Sequence, residues 1–526
     1  MAGTTDIDRF ARGDDPPEPP EGVAPRHRLP SSLVAGAPQS SVQAAPLRRP
    51  FPEVSEDRRK QRAEERRARL TARKLGFTAR HPAWPITALL VGYPIWWGLG
   101  LADFIWVLLI PPMVLQMVSW HLSGRRIRVP PGFGLWLLFL IIVVVGIATI
   151  GLTAPGTIAS PVSHRVLAYA NRTADYGGIT VLLLYAGNLT ESELSRRRLA
   201  WMLGLVGVYT VAGGLAGMVY PHLTFSSPLL HLLPKSVRGN PFIQASMEPG
   251  LSQVQNVLGS PGGRPKAPFD YTNIWGDCLT ILLPYLFIGW WDNRDKRKQL
   301  IVLGVVLAAI APLLYSLNRG AWIAVAFSVG YLAIRFALRG RRALLGGLCA
   351  VIAIVGLLVV ATPLKSVITG RLHNGKSNNL RANLNSLAIK DGLTSPFIGY
   401  GDTRQEQGSP RSIAIGPSPK CPVCGQLEVG STGQLWLLLV CDGFLGTALF
   451  LGFFCYGVWY YRRDRSPEAL LGVLVILLSF IYMFTYDAVS APLGFTMLAY
   501  ALMWKGSIYR RSQYLQTPAV PAPASA

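Results

Sequence analysis

Apolar residues along this chain fall into blocks about as long as a bilayer is thick, from Trp84 to Trp504, with short polar stretches between them. A hydrocarbon core of roughly 30 Å needs about 20 apolar helical residues to cross it. Read as spanning helices, the blocks lie near 84–100, 102–120, 131–152, 166–187, 200–220, 272–291, 300–316, 320–337, 343–361, 433–458, 468–486 and 491–504. The first two make a tight pair, and the third starts at the turn formed by Pro130 and Pro131. The expected fold is all-α, a polytopic membrane helix bundle of about twelve transmembrane helices with two long extracytoplasmic loops. Those loops are 221–271 and 362–432.

The ends break the pattern. Residues 1–80 are rich in Pro, Ser, Gly and charge, with little apolar periodicity, and are expected to form a disordered basic cytoplasmic tail. Within them Glu56–Lys74 interleaves Arg and Lys with Glu and Ala. That spacing suits a helix, either a solvated topology anchor or a segment against anionic headgroups. No cleavable signal peptide is apparent, so the first spanning helix is expected to direct insertion. The transmembrane domain is placed at 81–508 and a disordered C-terminal tail at 509–526. Both long loops carry apolar residues, among them Phe225, Leu230 and Phe242 in the first and Leu380, Leu384 and Leu387 in the second, so some order is expected in each. Arg381–Asp391 has the spacing of an amphipathic helix that rests on the outer membrane surface.

Charge fixes an orientation. The formal net charge is +23, and much of the excess sits in short loops. Basic clusters follow the second, fourth, sixth, eighth, tenth and twelfth blocks, as in Arg125–Arg128, Arg196–Arg198 and Arg294–Lys298. Leu317–Arg319 carries a single Arg, and Asp487–Ala491 carries no Lys or Arg. The positive-inside rule then puts both termini in the cytoplasm and runs the odd-numbered helices outward. The same rule explains the basic excess without nucleic acid, and no nucleic-acid-binding module is visible.

Several polar groups stand out against this background. Arg319 lies in Ser316-Leu317-Asn318-Arg319-Gly320-Ala321-Trp322, a very short turn where Gly320 is expected to let the backbone bend. Its planar fork suits phosphate oxygens at headgroup level, and the plainer alternative is a snorkelling interfacial arginine. Arg381 opens the amphipathic segment, and Ser395-Pro396-Phe397-Ile398-Gly399-Tyr400-Gly401 follows it as a flexible turn with Asp402, Arg404 and Glu406 beyond. The plain alternative there is a surface helix with solvated charges. Asp442, in the tenth block, is costly in lipid and is expected to face protein or water. In the fourth block Arg172 and Asp175 are either a self-neutralising pair at i, i+3 or part of a ligand site. Cys421-Pro422-Val423-Cys424 is half of a common zinc site. In an outer loop a local disulfide is the first expectation, ahead of free thiols and then a metal. Cys278, Cys349, Cys441 and Cys455 lie in apolar blocks and are expected to pack as small hydrophobes.

Taken together, Ser316–Trp322, Arg381 leading to Ser395–Gly401, and Gln434–Gly446 with its Gly-x-x-Gly at Gly443 and Gly446 resemble the bacterial O-antigen ligase and O-antigen polymerase superfamily. The resemblance is best over about 270–450. It implies a multi-spanning membrane glycosyltransferase of the bacterial plasma membrane that acts in cell-surface polysaccharide assembly. A glycan linked to a polyprenyl diphosphate is transferred on the outer face to a glycan or lipid-linked acceptor. Arg319, Arg381 and Arg172 become substrate-binding candidates, because guanidinium groups stabilise the charge that develops on a departing diphosphate. No cofactor and no metal is then expected. Ligases of the family place a histidine just before the tenth helix, where this chain has Ser431, Thr432, Gly433 and Gln434. That departure points away from ligase and towards polymerase-like or acceptor-divergent chemistry, with Asp402, Glu406 or Glu428 as the possible general base. The rival readings are a transporter or flippase for lipid-linked saccharide and a non-catalytic scaffold for envelope assembly. A carrier is expected to place its polar groups near the bilayer midplane and to show repeated halves, and no convincing repeat is present.

Overall fold

Proline positions explain where the helices break. A proline ring clashes with the carbonyl four residues back and donates no hydrogen bond. In the computed structural model, α1 (Trp84–Val91) stops just after Leu90 and is followed by α2 (Tyr93–Gly98), which holds Pro94. Likewise α3 (Ile105–Leu108) yields to α4 (Ile110–Leu122) four residues before Pro112. The helix α5 (Phe133–Val145) runs on as a tighter turn to Thr149. After it come α6 (Val162–Asn188) and α7 (Arg196–Val219), then an antiparallel hairpin of β1 (Ser252–Asn256) and β2 (Pro261–Pro265) with Ser252 opposite Pro265. Next are α8 (Thr272–Leu282), α9 (Leu286–Gly289), α10 (Lys296–Ala308), α11 (Ile310–Tyr315) and α12 (Arg319–Ala337), with Pro312 four residues past the end of α10. The last stretch holds α13 (Lys376–Thr394), a short pair of β3 (Arg404–Gln405) and β4 (Glu428–Val429), then α14 (Gln434–Tyr461), α15 (Pro467–Tyr482) and α16 (Ala491–Tyr514).

The structure describes residues 81–158, 161–238, 246–256, 261–340, 376–406 and 428–514, with isolated positions at 243 and between 342 and 353. The expected tail 1–80, most of the ninth block, Cys421 and Cys424, and the end of the C-terminal tail lie outside the described residues.

The chain is a mostly helical membrane protein, but the expectation of twelve spans is not met as twelve continuous helices. By length and composition, the described residues hold five helices fit to cross a membrane: Ile105–Leu122, Arg196–Val219, Lys296–Tyr315, Arg319–Ala337 and Gln434–Tyr461. Phe133–Thr149 and Pro467–Tyr482 are apolar but shorter. The predicted blocks other than the ninth do coincide with helix. They fall short because Gly92 and Pro94 cut the first, Pro284 interrupts the sixth, and the fourth carries Arg165, Arg172 and Asp175.

The core lies between these helices. Trp136 of α5 is fully buried among Phe139, Tyr176, Phe450 and Phe453 and donates its ring N–H to Thr180 at 2.8 Å. A run from Phe495 to Trp504 in α16 is buried on every side, against α6, α8 and α15. The long loops are ordered where they are described. Ser252 Oγ ties the hairpin to α7 by donating to the Gly217 carbonyl at 2.7 Å. The expected amphipathic helix exists as α13, longer at both ends. It does not simply rest on the membrane. Leu384 and Ala388 are buried with Val429 and Val440, docking it on α14.

Candidate functional site

The Gly-rich segment expected as a flexible turn is a wedge driven into a broken helix. Inside α14, Gly443 adopts φ 67°, a left-handed value that glycine tolerates. A Cβ there would lie 2.7 Å from the carbonyl oxygens of Ser395 and Pro396. The break frees backbone groups, and the wedge takes them up. Tyr400 N–H donates to the Val440 carbonyl at 2.8 Å and Gly401 N–H to the Cys441 carbonyl at 2.9 Å. Leu445 N–H donates to the Pro396 carbonyl at 3.0 Å. Non-helical backbone in a membrane protein is tolerated only where such partners exist.

Charges pack around the wedge and are largely committed. Arg172 of α6 is buried and donates through Nη1 to Asp402 Oδ1 at 3.1 Å and through Nη2 to the Gly401 carbonyl. Its ion-pair partner is thus Asp402, 230 positions away, and not the neighbouring Asp175, which accepts from Ser490 Oγ at 3.4 Å. Arg404 is 1% exposed and donates to the carbonyls of Ile150, Tyr400, Leu152 and Asp402 at 2.8–3.1 Å. Burial pushes the Asp402 carboxyl up, against the pull of Arg172. Glu406, also buried, accepts from Asn383 Nδ2 at 2.7 Å, while its second oxygen has no hydrogen bond among the described residues. Asp391 is fully buried on α13 with neither carboxylate oxygen hydrogen-bonded among the described residues, and burial pushes it up to about 6. Asp442, buried beside the kink, leaves Oδ2 without a hydrogen-bond partner among the described residues. Of the three general-base candidates only Glu428 is exposed, accepting from Thr403 Oγ1 at 3.3 Å.

A second cluster forms around Tyr486, in the turn between α15 and α16. Its hydroxyl donates to Asn318 Oδ1 at 2.7 Å. Asn318 caps α12, its side chain accepting from Ala321 N–H at 3.0 Å, and Arg319 is the next residue, half-buried. From the other side, Arg381 donates to the Thr485 carbonyl at 3.0 Å and lies 5.5 Å from the centre of the Tyr486 ring. Tyr486 therefore joins the two arginine segments that the sequence pairs as substrate-binding. The turn itself bends differently from expectation. Leu317, not Gly320, takes the left-handed conformation at φ 54°. Gly320 is helical, and its missing side chain admits the Tyr486 ring, since a Cβ would lie 2.6 Å from it.

Two further groups steady this turn. Arg264, buried at the end of β2, donates through Nε to the Ser316 carbonyl at 2.6 Å and through Nη2 to Asn273 Oδ1 at 3.5 Å. Gln434, at the position the family resemblance gives to the region of a histidine, is a buried strut. It donates to Tyr176 Oη at 3.0 Å and accepts from Ala488 N–H at 3.1 Å. Thr432 Oγ1 meets Asn385, one turn beyond Arg381, at 2.5 Å. Sequence reasoning missed Arg264 and Tyr486, and took Asp391 only as the end of the Arg381–Asp391 helix. Nothing local marks them, since Tyr486 ends an apolar block and Arg264 lies in a loop of mixed composition.

Among the described residues no group of His, Cys, Asp or Glu side chains is placed to hold a metal ion. No protein-family model and no curated protein matches this chain.

Proposed function

We propose that this protein transfers or polymerises a polyprenyl-diphosphate-linked glycan on the outer face of the bacterial plasma membrane, with about twelve passes and both termini in the cytoplasm. The observation that carries the reading is the Tyr486 link, which puts the Asn318–Arg319 turn and Arg381 on one tyrosine. Among the described residues Arg381 commits one nitrogen to a protein acceptor. Its remaining donors suit a diphosphate oxygen, and Arg319, the residue after Asn318, is assigned as the second guanidinium. As the glycosidic bond breaks, negative charge grows on the leaving diphosphate, and donors already in place stabilise it. The incoming hydroxyl of the acceptor must lose a proton. Glu428 is the exposed carboxylate near Thr403 and is assigned that role, because Asp402 is held by Arg172 and Glu406 is buried.

The test follows donor pre-loaded on the outer leaflet of vesicles containing the full chain. Elongation or transfer without a flipping step supports the enzyme. Movement across the bilayer without glycosidic bond formation makes the protein a flippase, and neither activity leaves the scaffold. Orientation is checked separately by single cysteines. Outside labelling at position 295, or protection of position 410 from an outside reagent, would overturn the topology.

A further inference from the structure

At the opposite end of the bundle, a cleft of about 580 Å³ opens between α7, α9 and α10. Its walls are of two kinds. Arg197, Arg198 and Lys298 bring positive charge, while Trp201, Trp290 and Ile301 form an apolar side. The tryptophan rings stack at 5.5 Å and 9°, and Trp290 Nε1 donates to the Trp201 carbonyl at 3.0 Å, which fixes the wall. Close approach of the chains sets its floor, because a Cβ on Gly289 would lie 2.5 Å from the Trp201 backbone. The charges are only partly answered. Lys298 lies 3.6 Å from Asp292 and 3.3 Å from Asp295, and Arg197 lies 4.0 Å from Asp292. Arg198 is exposed, and its guanidinium has no partner among the described residues.

Depth is set by the helices. Arg197 and Arg198 stand in the first turn of the apolar helix Arg196–Val219, and Lys298 in the first turn of Lys296–Tyr315. The cleft thus lies where two membrane-spanning helices begin, at headgroup level. Both helices also point their N-terminal, positive ends at it. We infer that this cleft binds the phosphate headgroup of an anionic glycerophospholipid from the leaflet that the basic loops face. Arg198 and Lys298 take the phosphate, and Trp201 and Ile301 take the glycerol and the start of an acyl chain. The apolar wall decides between sources, since a free phosphate ion gains nothing from it. Ile301 is 50% exposed and continues the apolar surface outward along α10 to the bilayer.

The experiment uses the full chain purified in detergent and titrated with dioleoyl phosphatidylglycerol, with bound lipid counted by native mass spectrometry. Dioleoyl phosphatidylcholine and inorganic phosphate form the comparison arms. The wild type should retain phosphatidylglycerol in preference to phosphatidylcholine, and millimolar phosphate should not displace it. One basic residue facing an anionic headgroup corresponds to about a fivefold change in binding. Arg198→Ala should therefore weaken the first binding step about fivefold and Arg198→Ala with Lys298→Ala more than tenfold. Arg462→Ala with Arg463→Ala, equally basic but away from the cleft, should not. The Arg198 side chain is exposed and makes no hydrogen bond or ion pair among the described residues, so the single variant is interpretable alone. Equal retention of both lipids, unchanged binding in the double variant, or displacement by phosphate would each overturn the assignment.

Discussion

Arginines occupy two regions near the same end of this protein and do different things in each. At the wedge, Arg172 and Arg404 are buried and turned on carbonyls and a carboxylate of the 400–404 segment and the end of α5. At the Tyr486 cluster, Arg381 stands 5.5 Å from the centre of a ring with one backbone acceptor. The first arrangement buries the guanidiniums and turns their terminal nitrogens on protein acceptors, although Arg172 Nε has no hydrogen-bond partner among the described residues, and the second leaves Arg381 only half-buried. An arginine in a membrane protein is therefore a functional candidate according to what its nitrogens already hold, not according to its rarity. By that criterion Arg172 belongs with the scaffold, and Arg381 with the proposed donor site.

The sharpest way to break the distinction is Arg172→Ala. Removing one partner of a buried ion pair leaves the other uncompensated and costs about 3–5 kcal/mol. The variant should lose folded yield and thermal midpoint in detergent. Replacing both partners by apolar residues of similar volume, Arg172→Met with Asp402→Leu, should recover much of the loss. A folded, stable Arg172→Ala protein that fails in transfer would move Arg172 into the functional group.

The converse experiment is Arg381→Ala or Arg319→Ala. Loss of a donor to a developing charge lowers the rate by about 10²–10³. For Arg381 the thermal midpoint should barely move, since its hydrogen bond to Thr485 joins a half-buried side chain to a backbone carbonyl. Lys at either position should rescue only in part, because it keeps charge and loses the fork. Transfer at wild-type rate by both Ala variants, measured at equal protein level, would remove the proposed site.

These contrasts show where the sequence was informative. Apolar blocks located the helices, but the blocks holding Pro94, Pro112 and Pro312 read as continuous, and the breaks there appear only in the structure. Arg319 and Arg381 were singled out from a local motif and a helical spacing. Partnership was not legible. An i, i+3 reading offered Asp175 to Arg172, whereas the chain brings Asp402 from a distant loop. Gly399 and Gly401 looked like flexibility in sequence. Each is instead a place where two backbones touch, which depends on an approach that no local pattern encodes.

A smaller effect separates the buried region from the exposed one by pH. Burial raises Asp391 from an ordinary 3.8 to about 6, with Arg404 opposing the shift. A carboxyl raised in the folded state favours folding while protonated. Its contribution is present below about pH 4 and is lost as pH rises through 6, amounting to at most about 3 kcal/mol. Asp391→Asn should flatten that slope and raise the thermal midpoint at pH 8 relative to the wild type. An unchanged pH profile of the midpoint would mean that Asp391 reaches solvent or a partner when ionised.

The mildest change examines the link itself. Tyr486→Phe keeps the ring under Arg381 and deletes the hydroxyl that donates to Asn318 Oδ1. Asn318 Oδ1 still accepts from Ala321 N–H, so no acceptor is orphaned and the helix cap survives. The net value of such a hydrogen bond is about 0.5–1.5 kcal/mol. If its loss loosens the Arg319 turn relative to Arg381, transfer should fall roughly twofold to tenfold with little change in stability. Tyr486→Ala removes the ring as well and should cost more, approaching Arg381→Ala. The decisive comparison is the double variant of Tyr486→Phe with Arg319→Ala. Residues that act as one unit are not additive, and coupling of about 0.5 kcal/mol or more is expected between contacting groups. With Arg319 gone, the hydroxyl has no turn left to position, so deleting it should cost almost nothing further. Strict additivity of the two losses would show that Tyr486 merely packs between the arginines and does not hold them in register.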